Sequence, residues 1–333
     1  MATRPSPRLL LPALLAVTVA VASGCGRDAG GDGGAASGGG EVAAGGAELS
    51  GRIVSDGSST VGPLTTAAAE RFQEQHAGVS IEVGISGTGG GFERFCAGET
   101  DLSNASRPID EEEEAPLCER NGVEYTELQV AVDALTVVVN TENEWAECLT
   151  VDELRTIWAP ESEGKVTSWS QVRDGFPDVP LALAGAGTDS GTFDYFTDAV
   201  NGEEGASRSD YTASEDDNVT VQAVEGNGGG LGYFGLSYYL ENEGALKALE
   251  IENESGECVA PSAQTAQAGA YNPLARPLFV YVENGSLRRP EVEEFMRFYL
   301  ANVEEIAADA LFVPPPAEAQ AESRATLEAA IGS

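Results

Sequence analysis

At 333 residues the chain is long enough for two domains with cores of their own, and its hydrophobic content of 42% is ordinary for a globular protein. Acids outnumber bases by 55 to 18, a formal net charge of −37. That balance excludes a nucleic-acid partner and disfavours anionic membrane surfaces, since both need basic patches. The acidity reads as solubility or salt adaptation, and the scarcity of lysine (Lys165 and Lys247) fits that reading.

In chain order, Arg4 and Arg8 precede a short apolar run, Leu9 to Ala22. The run falls short of the roughly 20 residues that span a bilayer, so residues 1–24 are expected to be a signal peptide. Ala22-Ser23-Gly24-Cys25 resembles a bacterial lipobox, which implies that Cys25 is lipidated and anchors the protein to the membrane outside the cytoplasm. A plain signal peptide cut nearby is the competing reading. Gly, Ala and Ser then dominate up to about residue 49, so residues 25–49 read as the lipidated Cys and a flexible tether with a mean span of roughly 25–30 Å. Four further cysteines, Cys96, Cys118, Cys148 and Cys258, suit disulfides in such a compartment, with three pairings open. They show no Cys-x-x-Cys spacing, so no zinc site is expected.

From Arg52 onward, strand and helix patterns alternate. Arg52–Ser55 reads as a strand, and Pro63 marks a helix start, with Leu64, Ala67, Ala68 and Phe72 on one face. Val79–Val83 alternates as a strand, Phe92–Ala97 reads as a helix, and Leu102–Ala105 as a short strand. The apolar run within Val130–Asn140 indicates a buried strand. Thr150 with Glu153 forms a capping box that opens a helix to Trp158. Leu181–Ala184, Leu231–Gly235 and Leu278–Val282 read as strands; Phe193–Val200, Val219–Glu225, Pro290–Ala301 and Ala317–Ile331 read as helices. The alternation predicts an α/β protein whose ligands sit where strands run out into helices.

Three loops at such positions share one composition: Gly57-Ser58-Ser59-Thr60-Val61-Gly62-Pro63, Ser86-Gly87-Thr88-Gly89-Gly90-Gly91 and Gly187-Thr188-Asp189-Ser190-Gly191-Thr192. Each leads into a helix start, where unpaired N–H groups carry partial positive charge. The hydroxyls of Thr60, Thr88, Ser190 and Thr192 would add neutral donors, and the three loops together would cage an oxyanion.

Those loops, with Asp101-Leu102-Ser103-Asn104-Ala105-Ser106-Arg107-Pro108-Ile109, Gly232-Tyr233-Phe234 and Arg276-Pro277-Leu278-Phe279, resemble the phosphate-binding protein of the bacterial high-affinity ABC phosphate transporter over about residues 50–310. The resemblance implies a type II periplasmic-binding-protein fold, two α/β lobes joined by two hinge strands near Val130–Thr136 and Arg276–Val280. Residues 50–133 plus 277–333 would form lobe 1 and residues 134–276 lobe 2. It implies capture of inorganic phosphate and delivery to ABC permease subunits, with no cofactor and no metal. Its phosphate set maps onto Ser59, Thr60, Thr88, Gly89, Ser190, Gly191 and Thr192. Two family positions differ: Ser106 stands for an Asp that accepts the phosphate proton, and Ala186 for an Arg. Arg107 is expected to supply the cation, and Asp189 either the acceptor or the group that orients Arg107; the competing reading leaves Arg107 at the surface. Because function by hinge motion disfavours a staple between lobes, Cys96–Cys118 and Cys148–Cys258 are the expected disulfides.

Other readings carry less. A binder of sulfate or molybdate, a surface phosphatase, and a phosphate sensor or adhesin without a permease are the alternatives. The only His, His76, is remote in sequence from the Ser-Gly loops, and there is no Gly-x-Ser-x-Gly elbow or Walker loop. Glu111–Glu114 and Asp216-Asp217 read as solvated acidic surface, and Trp145, Trp158 and Trp169 as packing.

Overall fold

The computed structural model describes residues 49–188 and 190–332. Strand β1 (Ser50–Gly57) leads into α1 (Gly62–Gln75), β2 (Gly78–Val83) into α2 (Gly87–Cys96), and β3 (Leu102–Ala105) into α3 (Ala115–Asn121). The long β4 (Tyr125–Asn140) follows, then β5 (Cys148–Leu149), α4 (Val151–Trp158), β6 (Ala182–Ala186), α5 (Gly191–Asn201), β7 (Thr212–Ser214) and α6 (Asp217–Glu225). Next come β8 (Gly230–Gly235), α7 (Leu236–Glu241), β9 (Leu246–Ala248), β10 (Glu250–Glu252), β11 (Cys258–Val259) and α8 (Ala263–Gln267). Strand β12 (Ala275–Glu283), α9 (Pro290–Ala301), α10 (Val303–Asp309) and α11 (Ala317–Ile331) complete the described chain.

The predicted elements are present, several of them longer than read. Short elements such as α3, α7, α8 and α10 were not read, and α2 begins at Gly87 rather than Phe92, so the glycine run is itself helical. Glycine disfavours helix by about 1 kcal/mol per residue, and packing is what overrides it here. A Cβ on Gly91 would stand 2.5 Å from the Gly57 Cα, so the bare helix face lets α2 lie directly on the end of β1. The capping box on Thr150 and Glu153 forms as read.

The main sheet runs β2-β1-β3-β12-β4-β8-β6-β7, with β9 also on β4. Strands β2, β1 and β3 are parallel, as are β8, β6 and β7, while β12 and β4 run antiparallel to their neighbours between these two sets. Strand β4 is shared: Tyr125–Ala134 pairs with β12, and Leu135–Val139 pairs with β8. Apolar residues cluster accordingly. One core gathers α1, α9, α10 and α11 side chains such as Phe72, Phe295 and Ile306. Another gathers Trp158, Trp169, Phe196 and Tyr233 from elements between β4 and β12. Two α/β lobes thus hang from the two crossing strands β4 and β12, the type II periplasmic-binding-protein arrangement. Cys96–Cys118 ties α2 to α3 and Cys148–Cys258 ties β5 to β11, the pairing expected. No helix among the described residues is long and apolar enough to cross a membrane.

Candidate functional site

The first two Gly/Ser/Thr loops and the turn after β3 are held at the carboxyl end of the first parallel set. Behind them lies Asp56, buried, whose Oδ1 accepts from Gly57 N at 2.7 Å and Ser86 Oγ at 2.8 Å while Oδ2 pairs with Arg94. One carboxylate therefore ties the first loop to the second. Ser58 Oγ accepts from Thr60 N at 3.1 Å, so this hydroxyl caps the turn. Thr88 Oγ1 lies 2.9 Å from Ser106 Oγ and accepts from Ser106 N at 3.2 Å, which joins the second loop to the turn after β3.

These loops face α5 of the other lobe across a small cavity of about 30 Å³. One water requires roughly 10–15 Å³ on the same measure, so the space fits a few-atom ion and not a drug-sized ligand. Its lining is Ser58, Ser59, Thr60, Gly87, Thr88 and Ser106 from one side, Asp194, Tyr195, Asp198 and Glu204 from the other, and Arg276 from β12. Ser59 Oγ donates across the cleft to Asp194 Oδ2 at 3.3 Å. Gly191 sits against Thr60: a Cβ there would come within 2.6 Å of Thr60 Oγ1. Ser190, Gly191 and Thr192 line an adjoining cavity that shares Ser59 and Thr60, and Ser190 Oγ caps Thr192 N at 3.2 Å.

Sequence reasoning placed the cation elsewhere. Arg107 does not line the cavity; its guanidinium is held by both oxygens of Glu114 at 2.7 Å and is about half exposed. Glu114 belongs to the run read as solvated surface, and it also accepts from Asp110 N at 2.8 Å. Gly89 lies beside Arg107 and outside the lining, and Asp189 lies outside the described residues, as does Cys25. The guanidinium in the cavity is that of Arg276, at the head of β12.

Arg276 is fixed from three directions. Register pairs it with Asp133 on β4, whose Oδ2 is 3.5 Å from Arg276 Nε. Its guanidinium carbon lies 3.6 Å from the centre of the Tyr195 ring, and Tyr195 is itself anchored by donating to Pro273 O at 2.6 Å. Nη2 donates to Thr60 Oγ1 at 3.4 Å. Burial pushes the Asp133 carboxyl above its ordinary range, against the pull of Arg276. Burial likewise lifts the Tyr195 phenol well above its usual range. A sequence signal for Arg276 did exist: an Arg heading a continuous apolar strand must find a partner when buried. Asp194, Asp198 and Glu204 carried no such signal in a chain this acidic.

Elsewhere, His76 closes α1 with its ring 4.4 Å from Phe72, and Trp158 and Trp169 are fully buried in the second lobe's core.

A family model described as a PBP superfamily domain matches residues 42–303. The chain belongs to this superfamily, among its phosphate-binding proteins. Protein SphX of Synechococcus elongatus is 49% identical over 267 residues, covering 80% of this chain and 78% of that protein. The phosphate-binding protein PstS of Staphylococcus saprophyticus is 37% identical over 283 residues, 85% of this chain and 86% of its own. Among solved structures, a possible phosphate binding protein from Planctomyces limnophilus superposes with a TM-score of 0.81 at 47% identity, covering 85% of this chain and 99% of that one. An ABC-type phosphate transport receptor from Vibrio cholerae, at 20% identity and a TM-score of 0.62, covering 79% of this chain and 100% of its own, shares the fold.

Proposed function

We propose that this chain is an extracytoplasmic solute-binding lipoprotein that captures inorganic phosphate between its lobes and delivers it to ABC permease subunits. The observation that carries the reading is the small inter-lobe cavity, where hydroxyls of Ser59, Thr60, Thr88 and Ser106 converge with the Arg276 guanidinium. An anion stripped of water there gains charge-assisted hydrogen bonds of roughly 1.5–3 kcal/mol each. The relatives named as phosphate-binding proteins give the guest its identity. Ser190, Gly191 and Thr192, at the start of α5 beside Thr60, supply further donors as the lobes adjust to the ion. Residues 50–133 with 277–333 move as one lobe and 134–276 as the other, a division supported by the separate hydrophobic cores. Phosphate then enters when the lobes part and is enclosed when they meet.

The activity is binding, without bond-making chemistry and without a cofactor or metal. His76 packs on Phe72 at the far end of α1 and offers the cleft no base. Signal peptide 1–24, lipidated Cys25 and the tether to residue 49 would hold the body at the membrane surface. Titration calorimetry with phosphate, sulfate and molybdate tests the binding: heat with phosphate at micromolar or lower Kd is expected, and a preference for sulfate or molybdate would overturn it. Fatty-acid labelling of the wild type, lost in Cys25→Ser, tests the anchor.

A further inference from the structure

The sequence holds four Asn-Gly steps: Asn121-Gly122, Asn201-Gly202, Asn227-Gly228 and Asn284-Gly285. Each pairs a carboxamide with a following backbone amide that no Cβ shields. That amide nitrogen can attack the carboxamide carbon, so every such step is a latent reaction centre. The fold decides which of the four can react.

The carboxamides differ little. Asn121 Nδ2 donates to Cys96 O at 2.8 Å, Asn201 Nδ2 to Ala206 O at 2.6 Å and Asn227 Nδ2 to Ala223 O at 2.7 Å, and Asn284 Oδ1 accepts from Thr126 Oγ1 at 2.7 Å. The attacking amides do differ. Gly122 N donates to Glu119 O at 3.1 Å, Gly202 N to Asp198 O at 2.9 Å and Gly285 N to Glu283 Oε1 at 2.8 Å. Gly228 N donates to no group among the described residues. Asn121 and Asn201 also close α3 and α5, so their backbones must leave the helix before a ring can form. Asn227 and Gly228 are exposed, in the turn between α6 and β8.

We propose that Asn227-Gly228 is a site of spontaneous deamidation, and that the reaction weakens the α6–β8 turn. Gly228 N bonds to Asn227 Cγ, the Cγ–Nδ2 bond breaks, and Nδ2 leaves as ammonia with the Gly228 amide proton. Solvent water then opens the cyclic imide. Cleavage of its Cγ–N bond gives aspartate. Cleavage of the bond on the main-chain side gives isoaspartate, in which the chain runs through the former side chain. In sum, an amide and a water become a carboxylate and an ammonium, and nothing is oxidised or reduced.

Either product costs the turn a contact. Asn227 Nδ2 is the donor to Ala223 O, a carbonyl in the last turn of α6. A carboxylate cannot donate, and it sets negative charge at the negative end of the helix, two residues after Glu225. Isoaspartate also lengthens the main chain where the packing is tight. A Cβ on Gly229 would collide with Pro180 O, and one on Gly230 would stand 2.6 Å from Val224 O. Gly229 O accepts from Trp169 Nε1 at 3.0 Å and from Ala182 N at 3.2 Å, so this turn holds a core tryptophan and the first residue of β6.

The test is peptide mapping of the full-length protein by mass spectrometry after incubation at mildly alkaline pH, with fragmentation that separates aspartate from isoaspartate. Conversion at Asn227 should outrun each of the other three by about two- to tenfold or more, since those amides must first give up a hydrogen bond. In urea, where the fold no longer separates them, the four rates should draw together. Gly228→Ala should suppress conversion and keep the turn, because a Cβ there meets only Glu142 Oε2, at 3.8 Å. Asn227→Asp, which installs one product directly, should have a lower Tm than the wild type. Equal or faster conversion at Asn121, Asn201 or Asn284 in the folded protein overturns the site. So does an Asn227 that converts in urea and not in the native protein. A wild-type Tm in Asn227→Asp overturns the consequence for the turn.

Discussion

Replacing Arg276 by Gln separates binding from folding in a way that can be worked through from the structure. Its side chain is 19% exposed, that of Asp133 is 6% exposed, and the two meet at 3.5 Å. Unit charges about 4 Å apart attract by about 4 kcal/mol at an effective dielectric of 20. Desolvation of both groups cancels much of that gain. Removing the guanidinium alone leaves the desolvated Asp133 carboxylate without its cation, a loss of about 3–5 kcal/mol. For a body of this size that lowers Tm by roughly 5–8 °C. Asp133→Asn added to Arg276→Gln removes the stranded charge, so most of that stability should return. Phosphate binding should not return, because the lost charge-assisted bond is worth about 1.5–3 kcal/mol, or about ten- to 150-fold in Kd. Differential scanning calorimetry and phosphate titration of the wild type, both single variants and the double variant give the full cycle. An Arg276→Gln protein with Kd within about twofold of the wild type would refute the reasoning.

Gly191→Ala should move stability and binding in opposite directions. Alanine favours the helix by up to about 1 kcal/mol, yet its Cβ would meet Thr60 Oγ1 at 2.6 Å and Thr60 backbone at 3.1 Å, propping the cleft open. Weaker phosphate binding without a drop in Tm is expected; unchanged affinity would show that the lobes need not approach this closely. The two disulfides close loops of sequence separation 22 and 110. Loop-closure entropy predicts a loss of about 3.4 kcal/mol for Cys96–Cys118 and about 4.8 kcal/mol for Cys148–Cys258 when each is replaced by a Ser pair. Urea unfolding of the two double variants checks the order, and a larger loss at Cys96–Cys118 contradicts it. Burial, then Asp216, raises Asp217 to about 6. Ionisation of Asp217 therefore costs stability in full above about pH 6 and not at all below its ordinary value, so Asp217→Asn should raise Tm near pH 8 and leave it unchanged near pH 3.5. A rise of equal size at both pH values would disprove the charge penalty.

Local chemistry was legible in the chain. Periodicity placed the helices from Leu64 and Pro290 and the strands at Val79 and Leu278, because burying one face of each element leaves a local pattern. The capping box at Thr150 and the loop hydroxyls of Ser59, Thr60 and Thr88 could be read for the same reason: each acts within a few residues of itself. What acts at long range could not be read that way. Arg276 reaches the cleft only through the β4–β12 register that sets it beside Asp133 and the helix packing that slides Tyr195 beneath it. Arg107, which its sequence neighbours aimed at the site, is captured by Glu114 seven residues on. Helix α2 packs on β1 through its glycine run because the missing Cβ of Gly91 admits the end of that strand. Sequence alone determines which groups can bond an oxyanion. Tertiary structure decides which of them meet, because a charge's partner is chosen by distance across the fold and not along the chain.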